Sequence, residues 1–471
     1  MQEDPTCRNE PITCLPGKKD QGSRGAIRSG FMALATVLII FFVYLGASFA
    51  TVHRPPSDLR STIAKAFASG DLTYEDRLRF DAVRGDHQYN DCLILTMSIL
   101  RSGNAIEDAV SPLMCVKPET AATPATICGM LGEATGDVAD AGCPQQRYHR
   151  YLHGHRILAA LLVPSLGIAE VRVLLRACAY LLLAGLAIGA LMPQSQLKVD
   201  RRSALAITAG FAAFFGLNYF GTSLSHGPAD LVLLAFLATA ATTSLLDMGR
   251  NAYVVIVAGF AALTAIFEFL TGGLPLSLAI LIGMIGLQAN STHTARQVAA
   301  RSISGVVVFL ACFGLTFALK LAFAWAVFGN TILNDFQRAL AGRVSSQLSS
   351  GQAATLLDLV NAVRWNLGEI TWGSEVAGYG LVALSASAAV IGLVRVYRNR
   401  DVAAVLTRAV LVILSGLVVP LWYAIFMNHT IEHAWFMVRI AVWPLICGWL
   451  LALAPGVQAQ HMKCLTTREA A

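Results

Sequence analysis

Residues 30–52 read GFMALATVLIIFFVYLGASFATV, a run without one charged side chain. An α-helix needs about 20 such residues to cross a bilayer, because hydrocarbon offers no partner to unpaired backbone groups. The run is long enough, and the chain repeats it. Apolar stretches of this kind lie near residues 30–52, 157–193, 203–223, 230–248, 252–271, 274–292, 302–328, 376–396, 405–427 and 436–456. The 157–193 stretch reads as one span whose start is broken or tilted at Pro164. Composition points the same way: of 471 residues, 55% are hydrophobic and 14% charged, with a mean hydropathy of +0.59. Soluble domains carry about 25% charged residues. The expected fold class is therefore an all-α polytopic membrane protein with about 10 transmembrane helices. Disorder, collagen, a coiled coil and a disulfide-dense secreted module are excluded by the same numbers. The net charge of +6 is spread in small groups, so no nucleic-acid partner is expected.

Lys and Arg accumulate in cytoplasmic connections, so their positions set the orientation. Arg8, Lys18, Lys19, Arg24 and Arg28 precede the first span. Alternate connections then carry Lys198, Arg201 and Arg202; Arg250; Arg296 and Arg301; Arg395, Arg398 and Arg400; and the tail carries Lys463 and Arg468. The short connections around Ser225, Gly273 and Thr430 carry none. Both termini are thus expected in the cytoplasm. Ser48-Phe49-Ala50 would pass as a signal-peptide cleavage site, but the length of the apolar run and its charged lead favour an uncleaved anchor.

The resulting layout is a cytoplasmic tail over 1–29, a first transmembrane helix over 30–53, a large outer loop over 54–156, transmembrane helices 2–7 over 157–328, a second outer loop over 329–375, helices 8–10 over 376–456, and a cytoplasmic tail over 457–471. In the second loop Leu333, Phe336, Leu340, Val344 and Leu348, then Leu356, Leu357, Val360 and Val363, have the spacing of amphipathic helices. They would lie on the outer leaflet or cap the spans. Cys92, Cys115, Cys128 and Cys143 fall in the first outer loop, in an oxidising compartment. A disulfide joining two of Cys115, Cys128 and Cys143 is expected there, with its connectivity open. Cys178, Cys312 and Cys447 sit in spans as packing residues.

Polar side chains are costly at membrane depth and therefore informative. His53, His87, His149, His153, His155, His226, His429 and His433 map outside, against His293 and His461 inside, so the working face is expected to be external. One constellation is Gly85-Asp86-His87-Gln88-Tyr89-Asn90-Asp91-Cys92, which places Asp91 near the start of a helix as a general base or, with Asn90, as a helix cap. Another is Tyr148-His149-Arg150-Tyr151-Leu152-His153-Gly154-His155-Arg156, read as a headgroup site or an interfacial aromatic belt. A third is Phe267-Glu268-Phe269-Leu270-Thr271-Gly272-Gly273, where Glu268 is the one carboxylate expected within an apolar span, with Lys320 as a structural partner if it has no other role. The last is Asn428-His429-Thr430-Ile431-Glu432-His433, with Arg439 a turn later: the histidines would share a helix face and Arg439 would offer a planar fork to a phosphate. The two H-x3-H pairs raise a four-His metal site. Membrane desaturases carry more such boxes, facing the cytoplasm, so no metal or other cofactor is assigned, with a divalent metal left open. No P-loop, GxGxxG or GxSxG motif is present.

The order of these motifs resembles the GT-C superfamily of polyprenyl-phosphate-sugar-dependent membrane glycosyltransferases. It is most similar to a poorly characterised bacterial group with a Tyr-x-Arg-Tyr-x-His-Gly motif after a large first outer loop, matched here by Tyr148 to Gly154. That group's Asp-Phe-Leu-Thr turn and Asn-His-x-x-x-His-x-x-Phe-x-x-Arg motif correspond to Glu268 to Thr271 and Asn428 to Arg439. Glu268 departs from the pattern, with a longer reach than Asp, and no large C-terminal soluble domain follows. The resemblance implies a helical membrane core capped from outside and an acidic base in the first outer loop, Asp91 with Asp86 as fallback. It further implies substrate contacts from His149, Arg150, Tyr151, His153, Glu268, Asn428, His429, His433 and Arg439. Implied partners are the lipid bilayer, a polyprenyl-phosphate sugar and a glycan, lipid or surface-protein acceptor, at the outer face of a bacterial inner membrane. The rival readings are a lipid-linked-sugar flippase and an O-antigen polymerase or ligase.

Overall fold

The computed structural model describes residues 19–77, 88–116, 126–135, 143–192, 197–268, 272–344, 348, 351–399 and 403–453. The chain begins with α1 (Lys19–Val52), and the first long loop then forms α2 (Pro56–Ser69), α3 (Tyr89–Ile99), α4 (Ala105–Val110), β1 (Leu113–Cys115), α5 (Ile127–Ala134) and β2 (Gln145–Arg147). The bundle continues with α6 (Gly154–Leu166), α7 (Ile168–Leu191), α8 (Arg201–Phe214), α9 (His226–Thr242), α10 (Arg250–Phe267), α11 (Gly273–Gln288) and α12 (Ala295–Phe328). After α13 (Thr331–Val344) and α14 (Leu356–Trp365) in the second long loop come α15 (Glu375–Arg398), α16 (Ala403–Ile425), α17 (Met427–Glu432), α18 (Ala434–Met437) and α19 (Val442–Ala452).

Among the described residues seven helical stretches are long and apolar enough to cross a membrane: Gly25–Val52 of α1, then α7, α10, α12, α15, α16, and Ala434–Ala452 through α18 and α19. Their outer faces stay apolar, with Ile39, Leu181, Ile303 and Leu384 exposed where only lipid can cover them. The chain is a multi-pass membrane protein. The remaining expected spans coincide with α8, α9 and α11, whose 14, 17 and 16 residues give them lengths of only roughly 21–26 Å. The missing length of the 203–223 stretch is irregular chain running from Phe215 to Ser225. Irregular backbone survives at such depth only inside protein, and Phe215, Leu217, Phe220 and Leu224 are accordingly buried.

Two expectations need correction. The 157–193 stretch breaks at Gly167 rather than Pro164, which α6 contains without interruption. Gly167 has φ 94° and ψ 164°, a conformation open in practice to glycine alone, and it turns the chain between α6 and α7. The helical class holds, and the first loop adds one small ribbon in which β1 and β2 pair antiparallel with Cys115 opposite Gln145. Finally, two disulfides form: Cys115–Cys143 clamps this ribbon, and Cys92–Cys128 joins α3 to α5. Cys92 was outside the expected set because it begins an apolar run. That run, Cys92 to Ile99, is wholly buried as the core of the first loop's own cluster.

The ends of the bundle differ. At one end Ser29 of α1 meets Asn251 at the start of α10, Arg301 donates to the Leu245 and Met248 carbonyls, and Arg408 pairs with Asp200, the N-cap of α8. This is the basic end. At the other end the last turns of α1 and α12 reach the first loop, Ser48 donating to the Ala109 carbonyl and Lys320 to the Val110 carbonyl. Lys320 is therefore engaged in anchoring α4. The second loop forms the helices α13 and α14, with Leu356, Leu357 and Val360 of α14 exposed and Leu359 buried. A Thr355–Asp358 capping box starts α14, which packs with α13 against α17.

Candidate functional site

The loop end gathers buried polar groups from segments where helices stop or break. Arg439 lies in a 3-10 turn, Val438–Ala441, between α18 and α19, and its guanidinium forks onto Asp230 of α9, Nη1 donating to Oδ2 at 3.0 Å and Nη2 to Oδ1. Both side chains are almost fully buried, at 3% and 2% exposure. The guanidinium also lies over Phe215 and Phe220, 4.5 and 5.0 Å from the ring centroids. One of its three nitrogens is left over: among the described residues Arg439 Nε has no hydrogen-bond partner. A buried N–H of that kind is a ready contact for an anionic oxygen. Asp230 also corrects an expectation, because it places a second carboxylate inside an apolar stretch beside Glu268.

Asp91 is the third residue of α3 and is 1% exposed. It is not a cap; the N-cap position belongs to Gln88. Its Oδ2 accepts from Nε and Nη2 of Arg172, a turn into α7, at 3.2 and 2.8 Å, while Oδ1 accepts from the Ser223 hydroxyl and the Leu224 N–H, each at 2.7 Å. Asp91 thus ties α3 to α7 and to the irregular chain before α9. From Ser223 the contacts continue to Ser225 Oγ at 2.9 Å and on to His226 Nδ1 at 2.9 Å. His226 opens α9, four residues before Asp230 and on the same face. Asp86 lies outside the described residues.

His226 connects this chain to the last motif. Its ring centroid is 5.7 Å from Phe436, which stacks on His433 at 5.3 Å, and His433 meets His429 edge-on at 4.6 Å. The two histidines are neighbours across one turn, as their spacing predicts, and buried Asn428 precedes them on α17. Glu268 closes α10 at 2% exposure and accepts from the Gly272 N–H at 3.2 Å. Gly272 takes φ 92°, and a Cβ there would stand 2.8 Å from Ile440 Cγ2, so the Glu268 turn abuts the segment carrying Arg439.

The remaining motif divides. Gly154 packs so closely on α10 that a Cβ would stand 2.5 Å from Ile266 Cγ2, which brings His153 beside the Glu268 turn. His153 caps α6 with its N–H on the Tyr44 hydroxyl and donates from Nε2 to the Tyr148 carbonyl at 2.9 Å. Tyr151 is buried against Tyr148. His149 and Arg150 instead line a polar cavity of about 240 Å³ between the ribbon and α13, with Arg147, Asp335 and Arg338. There His149 meets Ser111 Oγ at 2.6 Å, and burial, then the Lys320 charge, hold its pKa down to about 4. It is a neutral ring at pH 7.

The structure therefore gathers Asp91, Glu268, Asn428, His429, His433 and Arg439 along one connected set of contacts, with His153 at its edge and His149 and Arg150 apart. Sequence reasoning missed Arg172, Ser223, His226 as a site residue, and Asp230. A signal was present: Ser223-Leu-Ser225-His226-Gly-Pro-Ala-Asp230 is a polar interruption between two apolar stretches. A cavity of about 530 Å³ lies between α11, α12 and α16 among Ile303, Val307, Val410 and Leu414, with no acid or base in its lining. Among the described residues no three His, Cys, Asp or Glu side chains are grouped to hold a metal ion, so the two H-x3-H pairs do not converge. No family model, curated protein or solved structure matches the chain.

Proposed function

We propose that the chain is an integral-membrane glycosyltransferase of GT-C type with ten spans, moving a sugar from a polyprenyl-phosphate donor to an acceptor hydroxyl with inversion. The site faces the outside of a bacterial inner membrane, and both termini are cytoplasmic. The observation that carries this reading is the buried Arg439, held by Asp230 and two aromatic rings with one N–H to give, at the end of the bundle opposite the basic connections. A lipid phosphate arriving laterally between helices would take that N–H. As the anomeric C–O bond breaks, charge grows on the phosphate, and a preorganised buried cation stabilises that change more than the ground state. His429, His433 and Glu268 are close enough in the chain of contacts to position the sugar.

Purified protein in proteoliposomes, supplied with radiolabelled sugar on polyprenyl phosphate and a hydroxyl acceptor, tests the reading. Transfer by the wild type and a 10²-fold or greater loss in Arg439→Ala are expected, the size of loss seen when one transition-state donor is removed. Movement of the labelled lipid across the bilayer without transfer would overturn the reading in favour of a flippase. Asp91→Asn in the same assay tests whether a carboxylate engaged by four donors matters to turnover at all.

A further inference from the structure

Asp91 can only accept. Arg172 ion-pairs to Oδ2 and the Leu224 N–H points at Oδ1, so the Ser223 hydroxyl, 2.7 Å from Oδ1, must donate. A hydroxyl has one proton and two lone pairs. With its proton on Asp91, Ser223 Oγ is an acceptor towards everything else, and it meets the Ser225 N–H at 3.2 Å, the Ser225 hydroxyl at 2.9 Å and, more distantly, His226 Nδ1 at 3.4 Å. The Ser225 proton is therefore fixed on Ser223. Ser225 Oγ is then left to accept at its contact with His226 Nδ1, 2.9 Å away, and Nδ1 must carry the ring proton. The opposite assignment, Ser225 donating to Nδ1, sets two hydroxyl oxygens lone pair against lone pair in a buried site. Burial without a hydrogen bond is costly for a hydroxyl, so the polarised order wins.

We propose that His226 Nε2 is the proton acceptor of the site, the general base, and that Asp91 is its positioning residue, acting through Ser223 and Ser225. This deepens the glycosyltransferase reading and rests on it for its substrate, a hydroxyl-bearing acceptor. The arrangement does what a carboxylate does for a catalytic imidazole elsewhere, holding the tautomer and facing the cation that forms. Here two hydroxyls lengthen the connection. In the transfer step the acceptor O–H bond breaks and its proton goes to Nε2, while the oxygen's electron pair makes the bond to the anomeric carbon. The anomeric C–O bond breaks and its pair leaves on the lipid phosphate, towards Arg439. The imidazolium keeps its Nδ1–H on Ser225. Asp91 and Arg172 face it along the relay, Asp230 and Arg439 from the next turn of α9, and His429 and His433 from beyond Phe436. Phe220, 5.3 Å from the ring, shields it from water.

The test reads the tautomer directly, without turnover. The full-length protein, labelled with ¹⁵N-histidine in nanodiscs at neutral pH, is recorded beside His226→Gln to assign the signal. A neutral ring with the proton on Nδ1 is expected, and a shift towards the Nε2–H form in Ser223→Ala/Ser225→Ala, which removes both hydroxyls that face Nδ1 without changing charge. A wild-type His226 protonated on Nε2, or on both nitrogens, overturns the proposal. In the transfer assay His226→Gln is expected to lower kcat by 10²–10⁴-fold with KM little changed, the range for a general base. Unchanged kcat overturns the base assignment even if the tautomer is right. The two failures separate: a correct tautomer with no transfer from any lipid-linked sugar sinks the glycosyltransferase reading, whereas transfer with the wrong tautomer sinks the relay alone. If His226→Gln fails to fold, Ser225→Ala and Ser223→Ala carry both measurements.

Discussion

Removing one partner of the Asp230–Arg439 pair tests whether the loop end is as dry as the structure shows. Both side chains are at most 3% exposed, and they share two hydrogen bonds. Deleting one member of such a pair typically costs about 3–5 kcal/mol, because a charge stays buried without its counterion, whereas replacing both with apolar groups is near neutral. Asp230→Leu should fall near the lower limit, since Arg439 keeps the faces of Phe215 and Phe220, and a desolvated cation–π contact is worth up to about 2 kcal/mol. Arg439→Met strands Asp230 and should cost about 4–5 kcal/mol. The double variant Asp230→Leu/Arg439→Met should return to within about 1 kcal/mol of wild type. Reversible unfolding in mixed micelles, titrated with SDS, yields all four corners of the cycle. Single costs below about 1 kcal/mol that simply add in the double would refute a dry, coupled pair and leave a solvated one worth little. A stable double variant that no longer transfers sugar would separate the role of Arg439 in the reaction from its role in the fold.

Other expectations follow from the same coordinates. The disulfides close loops of 28 and 36 residues, so Cys115→Ala/Cys143→Ala and Cys92→Ala/Cys128→Ala should each cost about 3–4 kcal/mol by loop entropy, read as early proteolysis of the first loop. Gly167→Ala meets both a φ of 94° and a Cβ 2.4 Å from Glu170 Oε2, and should lower thermal stability by an amount corresponding to about 1–3 kcal/mol. His149 is held neutral to about pH 4 in the folded protein, against an unfolded value near 6.5. The unfolded chain therefore binds the proton first, and stability is lost as pH falls from 6.5 towards 4. His149→Gln should flatten that limb of the pH–stability curve, and an unchanged slope would remove His149 as its source.

The parts of the fold that were legible are those where one physical rule acts alone. Every apolar stretch of the sequence contains a helix, because hydrocarbon admits little else. The length of each helix was less legible. α8 stops at Phe214 although hydrophobic residues continue through Phe220, because the segment beyond it bends inward to deliver Ser223 to Asp91, a contact across 132 residues. The break at Gly167 was masked by Pro164 three residues earlier: a proline in the last turn of a helix removes a hydrogen bond without ending the helix there, while φ near 90° is closed to most residues. The Cys92–Cys128 bond was hidden because Cys92 reads as the first member of an apolar run, and both descriptions of it hold.

The site shows the same limit more sharply. Histidine, arginine and carboxylate positions could be sorted by depth, since charge is scarce and each misplaced polar group must have a reason. Which group answers which could not, because the pairs join residues 209 positions apart for Arg439 and Asp230, and 81 for Asp91 and Arg172. The reassignment of Asp91 depends wholly on those partners. As an isolated acid beside an apolar helix it reads as a base; with four donors on its two oxygens it becomes the fixed end of a hydrogen-bonded chain, and the direction of that chain selects the histidine. Two serines between the acid and the ring carry that direction, and neither has a charge; only the polar interruption they share with His226 and Asp230 marks them in the sequence. A Ser223→Ala protein should therefore keep every charged residue of the site and still lose the order imposed on His226, which no reading of the charged residues alone would anticipate.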